Sequence, residues 1–301
     1  RTWQELADEL GISYHTLNWD WYSEKSTIPK NFAKKLIKKY PFKEWEYIYN
    51  NWVVEELVPK WGQIKAGLNR EKKILIPPIS EKLAEFLGAA LGDGHLDYKE
   101  FTFTNHLNEK DYMNYIKDMI MILFGLNSKI FLGSKDKKAI VMDTYSKALV
   151  NFLSKNGLKI GNKIKNKARL PGWVFENKRY SSAALRGLFD TDGGIYHKEK
   201  KYKRAIIEFQ TNSPSIHNDI LKLLSILNFT PSKGNNGKKA LDLRIQNQNE
   251  VHAFFQVVGS SNPKNILKYN IFTKEGYVPL SKEIESLLPH FKKEMLPFKA
   301  R

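Results

Sequence analysis

Two segments of the sequence make the same unusual statement. EKLAEFLGAALGDG (81–94) and SAALRGLFDTDG (182–193) are apolar runs with helical patterning, and each ends in an aspartate followed by glycine. A carboxylate in the last turn of a helix faces the partial negative charge of orphan carbonyls, at a cost of about 0.3–1 kcal/mol. Two copies of that arrangement imply a purpose, because a bound cation would remove the penalty. Gly94 and Gly193 can take positive φ and let the chain leave sharply into a strand. Gly88 and Gly92 lie one helical turn apart, and Gly187 and Thr191 match them in the second segment. Small residues at that spacing let two helices approach closely, which would set Asp93 and Asp192 side by side. For either copy alone, a Gly-capped helix with a solvated aspartate is the alternative.

The repetition continues downstream. EFTFTN (100–105) and RAIIEFQTN (204–212) read as strands, and a helix follows each, EKDYMNYIKDMIMILFG and SPSIHNDILKLLSILNF. Basic hairpins come next, KIFLGSKDKKAIVMDTYS and PSKGNNGKKALDLRIQ, then further helices, SKALVNFLSKNG and NEVHAFFQVVG. Lys-rich turns, GNKIKNK and NPKNILK, close the copies. Two long copies predict a pseudo-two-fold domain of mixed helix and strand, not a solenoid of short repeats. Upstream, Thr2 can cap a helix with Leu6, Ala7 and Leu10 on one face, Gly11 breaks it, and Ser13 can cap a second. PKNFAKKLIKKY (29–40) reads as a third helix, and ILIPPIS, with Pro77 and Pro78, is extended and marks a boundary. The expected segments are 1–49 helical, 50–80 connector, 81–175 and 176–275 the two copies, and 276–301 a helical tail.

Composition narrows the function. The chain has no Cys, which excludes disulfides and cysteine metal sites and removes the usual nucleophile of self-splicing elements. The longest apolar run, YIKDMIMILFGL (115–126), is too short for a membrane span and carries Lys117 and Asp118. No secretory signal pattern opens the sequence, so an intracellular location is expected, its compartment open. The formal net charge of +17 favours a polyanionic partner, nucleic acid first, against the alternative of a solvated Lys-rich surface. DTDGG also looks like the start of a calcium loop, but its twelfth position is Lys201, where a bidentate Glu is needed. The glycines do not form a phosphate-binding loop.

FLGAALGDG (86–94) and LRGLFDTDG (185–193) resemble the two signatures of the LAGLIDADG homing endonucleases. Leu185, Gly187, Asp190, Asp192 and Gly193 fit the motif, and the first copy departs with Leu91 and Gly92 before Asp93. The resemblance covers roughly residues 81–272. It implies an α+β fold, a pseudo-two-fold pair of αββαββα units joined at the motif helices, with a β-saddle for duplex DNA. A small all-α N-terminal domain precedes it. The implied activity is site-specific double-strand cleavage with short 3′ overhangs, by a monomer that moves an intron or intein. Mg²⁺, replaceable by Mn²⁺, would be held by Asp93 and Asp192, with Gly92 and Thr191 contributing to the metal site. Oxygen donors without Cys suit those ions. A basic residue beside each metal is implied, with Lys163, Lys264 and Lys268 as candidates, phosphate or solvent contact being the alternative. Asp190 is expected to be structural and Asp97 to lie on a strand surface.

An antiparallel ribbon fits the major groove, where every base pair has a distinct hydrogen-bonding pattern. The hairpins place Tyr98, Lys99, Lys129, Lys135, Lys137 and Lys138 in the first copy as DNA-binding candidates. The second copy offers Tyr196, Lys198, Lys203, Arg204, Lys233, Lys239, Arg244 and Gln246. Most lysines would touch phosphates and a few side chains would read bases. The N-terminal helices resemble repressor-type helix-turn-helix domains, with Tyr14, His15, Thr16 and Asn18 on the recognition helix, Trp19, Trp21 and Tyr22 being core in the alternative reading. The expected partner is a long, asymmetric double-stranded DNA site. A catalytically silent DNA-binding regulator and an intron RNA maturase are the rival functions, the same basic saddle being able to hold RNA.

Overall fold

The computed structural model describes residues 2–23, 28–41, 74–133, 138–197, 204–234 and 241–288. The chain divides into two compact units, Arg1–Glu71 and Lys72–Arg301. In the first, α1 (Trp3–Leu10) starts in a capping box between Thr2 and Glu5 and stops at Gly11, whose φ of 67° is left-handed. Ser13 Oγ accepts from the Thr16 N–H at 2.9 Å. The expected second α-helix is instead a single wide turn, Thr16–Trp21, closed by an i to i+5 bond from the Tyr22 N–H to the Leu17 carbonyl. Then α2 (Lys30–Lys39) follows. Ala7, Leu10 and Leu17 form the core of this unit with Leu36 and Trp21 packed on it, while Trp19 and Tyr22 are exposed.

The second unit runs twice through one topology. The first copy is α3 (Glu81–Gly92), β1 (Gly94–Leu96), β2 (Glu100–His106), α4 (Lys110–Phe124), β3 (Lys129–Leu132), β4 (Ala139–Tyr145) and α5 (Lys147–Lys155). The second is α6 (Lys178–Asp192), β5 (Gly193–His197), β6 (Ala205–Thr211), α7 (Pro214–Ile226), β7 (Ser232–Gly234), β8 (Leu241–Ile245) and α8 (Gln248–Val257). Each copy is αββαββα. The sheets have matching antiparallel orders, β1-β2-β4-β3 and β5-β6-β8-β7. After these come α9 (Pro263–Glu275) and α10 (Ser281–Leu287).

Local chemistry explains these boundaries. Ser80, Ser146 and Ser213 cap α3, α5 and α7 by accepting from Leu83, Leu149 and Ile216 N–H groups. Strand alternation turns Phe101 and Phe103 of β2 inward, with Thr104 exposed between the sheet and solvent. The sheets therefore have one helix-covered face and one open face. NPKNILK, expected as a turn, is the first half of α9. Asn262 accepts from the Lys264 N–H at the cap and Pro263 sits at the first helical position, a start signal that the lysines obscured.

Helices α3 and α6 pack against each other along their small residues. A Cβ at Gly88 would collide with the Ala184 carbonyl, one at Gly187 with the Glu85 carbonyl, and one at Gly92 with the Thr191 side chain. Gly94 and Gly193 do not use the positive φ open to them; Gly193 is extended, with φ −120°. Space is the reason for glycine at both. A Cβ on Gly94 would lie 2.8 Å from the Phe101 ring, and one on Gly193 2.8 Å from the Phe189 ring and its carbonyl. Each strand leaves directly over the last turn of its helix.

Candidate active site at the paired helix ends

Asp93 is the C-cap of α3 and Asp192 the last residue of α6. Both are partly buried. Burial pushes the Asp192 carboxyl up to about 6, against the pull of Lys163. Asp93 is pushed up to about 7 by burial first and then by the charge of Asp192; Lys163 and Lys264 oppose the shift and Glu109 adds to it. Like charges at close range produce this pattern: one carboxyl ionises and holds the proton on its neighbour. Helix C-termini make the local potential more negative still.

Lys163 answers part of that field. Its ammonium donates to the Leu91 carbonyl at 2.9 Å and to the Gly92 carbonyl, the orphan acceptors at the end of α3. The turn Asn162–Lys167 supplies it, held by Asn162 Oδ1 accepting from the Ile164 and Lys165 N–H groups at 3.0 and 2.9 Å. Lys264 is on α9 and donates to Glu109 Oε1 at 2.7 Å. Lys268, one turn further, is partly buried, and burial together with the Lys264 charge depresses its pKa. Thr191 turns its hydroxyl onto its own helix, donating to the Gly187 carbonyl at 3.0 Å.

Sequence reasoning marked Asp190 as structural but missed Glu109 and Glu85, the other supports of this site. Glu109 precedes α4 and accepts from Asn262 Nδ2 at 2.5 Å as well as from Lys264. Glu85 pairs with Arg186 at 2.6 Å across the motif helices and accepts from Tyr115 and Ser261 hydroxyls at 2.8 and 2.6 Å. Asp190 is 2% exposed and accepts from the Ser260 hydroxyl, the Ser261 N–H at 2.7 Å and Asn265 Nδ2 at 3.2 Å. The loop 258–262 is thereby bound under both motif helices. An acid at an apolar interface position, such as Glu85, was the one signal available.

The DNA-binding candidates are distributed unevenly. Lys135, Lys137, Lys198, Lys203 and Lys239 lie outside the described residues. Tyr98 and Lys99 are exposed in the turn from β1 to β2, and so is Asp97, which is not on a strand. Lys129 and Lys138 are exposed at the β3–β4 hairpin, and Arg204, Lys233 and Gln246 are exposed around the second sheet. Tyr196 and Arg244 sit on the open face of that sheet and both bond to Glu208. In the N-terminal unit Tyr14 and His15 are exposed, Asn18 Nδ2 donates to the Tyr14 hydroxyl at 3.0 Å, and Thr16 bonds to Ser13.

The donor set fits a hard divalent cation. It consists of two carboxylates held at raised pKa beside helix carbonyls, all oxygen. Among the described residues no cluster of three or more His, Cys, Asp or Glu forms, so the phosphate oxygens of a substrate and water would have to complete the coordination. Among these residues no helix is long and apolar enough to cross a membrane.

Residues 179–259 match the LAGLIDADG-like domain. The chain is similar to the replication factor C small subunit of Methanocaldococcus jannaschii, 29% identical over 202 residues, 63% of this chain and 10% of that protein. Transcription initiation factor IIB of M. jannaschii is 28% identical over 113 residues, 37% of this chain and 15% of that protein. A component of the A-type ATP synthase of Pyrococcus abyssi is 30% identical over 145 residues, 48% of this chain and 14% of that protein. The chain thus spans a small fraction of each relative's length. Among solved structures, the homing endonuclease I-DmoI in complex with DNA and Mn matches at 17% identity and a TM-score of 0.41, covering 60% of this chain and 98% of that one. Full-length DUF199/WhiA matches at 16% identity and a TM-score of 0.46, covering 71% of this chain and 68% of that one.

Proposed function

We propose that the chain is a site-specific, divalent-metal-dependent endonuclease that cuts both strands of a long, asymmetric DNA target and leaves short 3′ overhangs. The observation that carries this reading is the pair Asp93 and Asp192, partly buried at the ends of two packed helices with raised pKa values. A carboxylate pair placed at that electrostatic cost is explained by cation binding. Held by Asp93 and Asp192, Mg²⁺ or Mn²⁺ would supply water activation and stabilise charge on the scissile phosphate.

The chain's own residues do the positioning. Close packing at Gly88, Gly92 and Gly187 fixes the spacing of the two carboxylates. Lys163 neutralises the helix end and lowers the pKa of both acids, so they ionise nearer neutral pH. Lys264, paired with Glu109, acts on Asp93, and Lys268 one turn further is read as a phosphate contact. Because one chain supplies both acids, a monomer suffices. The net charge of +17 supports a nucleic-acid partner. The N-terminal helices, with Tyr14, His15, Thr16 and Asn18, are read as an accessory DNA contact. Parts of this chain resemble parts of three proteins whose names describe different tasks, as a module carried between genes would, which supports mobility with an intron or intein.

The test is selection of cleaved sites from a randomised duplex library by the full chain with Mg²⁺ or Mn²⁺. Recovered ends should carry 3′ overhangs from one asymmetric sequence, and chelation should remove them. Retention of DNA without cutting would replace this reading with a silent regulator. Preference for structured RNA over duplex DNA would replace it with a maturase.

A further inference from the structure

The open faces of the two sheets carry equivalent rows. In the first sheet the register aligns His95, Thr102, Asp143 and Lys129. In the second it aligns Gly194, Glu208, Arg244 and Ser232. The shared strand order makes Asp143 and Arg244 counterparts, each on the fourth strand of its copy. They have opposite charge and opposite hydrogen-bonding sense: a carboxylate accepts and a guanidinium donates.

Arg244 is held in place. Its Nε donates to Glu208 Oε1 at 2.6 Å, and Nη2 lies 3.5 Å from Asp242 Oδ2. Glu208 also accepts from the Tyr196 hydroxyl at 3.3 Å, and Asp242 from Gln210 Nε2 at 3.1 Å. The two carboxylates use one flank of the planar fork and, among the described residues, leave Nη1 uncommitted. The Arg244 side chain is 17% exposed, so it is buttressed yet open. Two strands away in the row, beyond Glu208, nothing lies within 4 Å of where a Gly194 Cβ would be, so that end of the row is open. Asp143 differs. It accepts from the Thr102 hydroxyl at 2.9 Å and more distantly from Tyr145, and among the described residues no cation pairs with it. A carboxylate on the open face of so basic a protein repels phosphate and suits a base amino group.

We propose that Asp143 and Arg244 read equivalent positions of the two half-sites with opposite chemistry. Guanine stands opposite Arg244, through its O6 and N7 acceptors. A base with a major-groove amino donor, cytosine first, stands opposite Asp143. The pair makes the target asymmetric even where the two copies superpose. Locking the guanidinium in advance lowers the ordering cost of the contact and sharpens discrimination. This rests on the DNA-binding part of the proposed function and not on cleavage.

The test is site selection by retention of the full chain on a randomised duplex library, compared for wild type, Arg244→Lys and Asp143→Asn. Arg244→Lys keeps the charge that faces Glu208 and Asp242, so the sheet stays satisfied, but it loses the planar fork. It should lose guanine preference at one position by on the order of 10- to 100-fold while all other positions hold. Asp143→Asn should lose amino-base preference at the counterpart position in the other half-site. Uniform loss across all bases from Arg244→Lys would make it a phosphate contact and overturn the proposal. Unchanged profiles for both variants would make the rows internal to the sheets and overturn it as well. Preferences intact without any cutting would remove the endonuclease reading and keep this one; cutting with unchanged preferences in both variants would do the reverse.

Discussion

The Lys163 ammonium donates at 2.9 Å to the Leu91 carbonyl, which places one cation from a distant turn at the end of α3, where it acts on both Asp93 and Asp192. A single lysine therefore serves two carboxylates on different helices. Lys163→Met should lower both strand cuts together, by about 10- to 100-fold, with little loss of DNA binding. Strand-resolved nicking kinetics with end-labelled duplex measure it. Loss of one cut with the other untouched would show that Lys163 belongs to one half alone.

The acids themselves should be needed for cutting and dispensable for binding. Asp93→Asn and Asp192→Asn keep the shape of the helix ends while removing the charge that holds a cation. Each should abolish double-strand cleavage and leave the affinity for target DNA within about threefold, a difference of less than about 1 kcal/mol. Gel-shift titration beside a cleavage assay separates the two effects. Complete double-strand cutting by either variant would end the two-aspartate account.

The same groups give a pH dependence of known sign. Both carboxyls have folded pKa values raised above the ordinary aspartate value of 3.8, to about 7 and about 6. Their protonated forms favour the folded state, so that stability is present below about pH 4 and is lost as pH rises through 6 to 7. Without metal, the melting temperature should fall over that window, and Asp192→Asn should flatten the fall and stabilise the protein at about pH 8 by about 1–2 kcal/mol. Divalent cations should stabilise the wild type more at about pH 8 than at about pH 5.5. A variant less stable than wild type at the higher pH would mean that the carboxylates are already compensated within the protein.

The helix interface predicts a contrast between glycines. Gly88→Ala drives a methyl into the Ala184 backbone, which cannot rotate away, whereas Gly194→Ala meets open space. The first should cost about 1–3 kcal/mol and the second less than about 0.5. Chemical denaturation of both variants decides it, and equal midpoints would mean that α3 and α6 can separate freely.

Those glycines also show what the sequence reveals. Gly88, Gly92, Gly187 and Thr191 were legible because helical spacing is local, and so were the capping residues Thr2 and Ser13. The glycines after the aspartates were rightly marked, but for dihedral freedom, when the cause is a strand passing over Phe189 or beside Phe101. Glu109 was invisible because its partners Lys264 and Asn262 come from a helix more than a hundred residues away. No pattern within LNEKD announces that contact. The segment from Ser260 to Asn265 is of the same kind: its polar groups acquire meaning when Asp190 is buried among them.

The last prediction concerns the N-terminal unit. Residues Arg1–Glu71 form a compact unit of their own, and both acids, both sheets and Lys163 belong to Lys72–Arg301. Tyr14 and His15 are exposed on the first unit and Asn18 is tied to Tyr14. If these residues touch flanking DNA, they act through tethering, because a second contact on one chain becomes intramolecular. A truncated chain beginning at Lys72 should then cut at the same phosphates, bind on the order of 100-fold more weakly and protect a shorter stretch in footprinting. Changing Tyr14, His15 and Asn18 together to Ala in the full chain should reproduce the shorter footprint without altering the cut positions. Salt supplies a second readout. Fewer phosphate contacts mean fewer counterions released, so the truncated chain should show a shallower dependence of affinity on salt than the full chain. An unchanged footprint and slope would leave the N-terminal helices without a DNA contact, and a folded truncated chain that binds but cannot cut would give them a part in the active site.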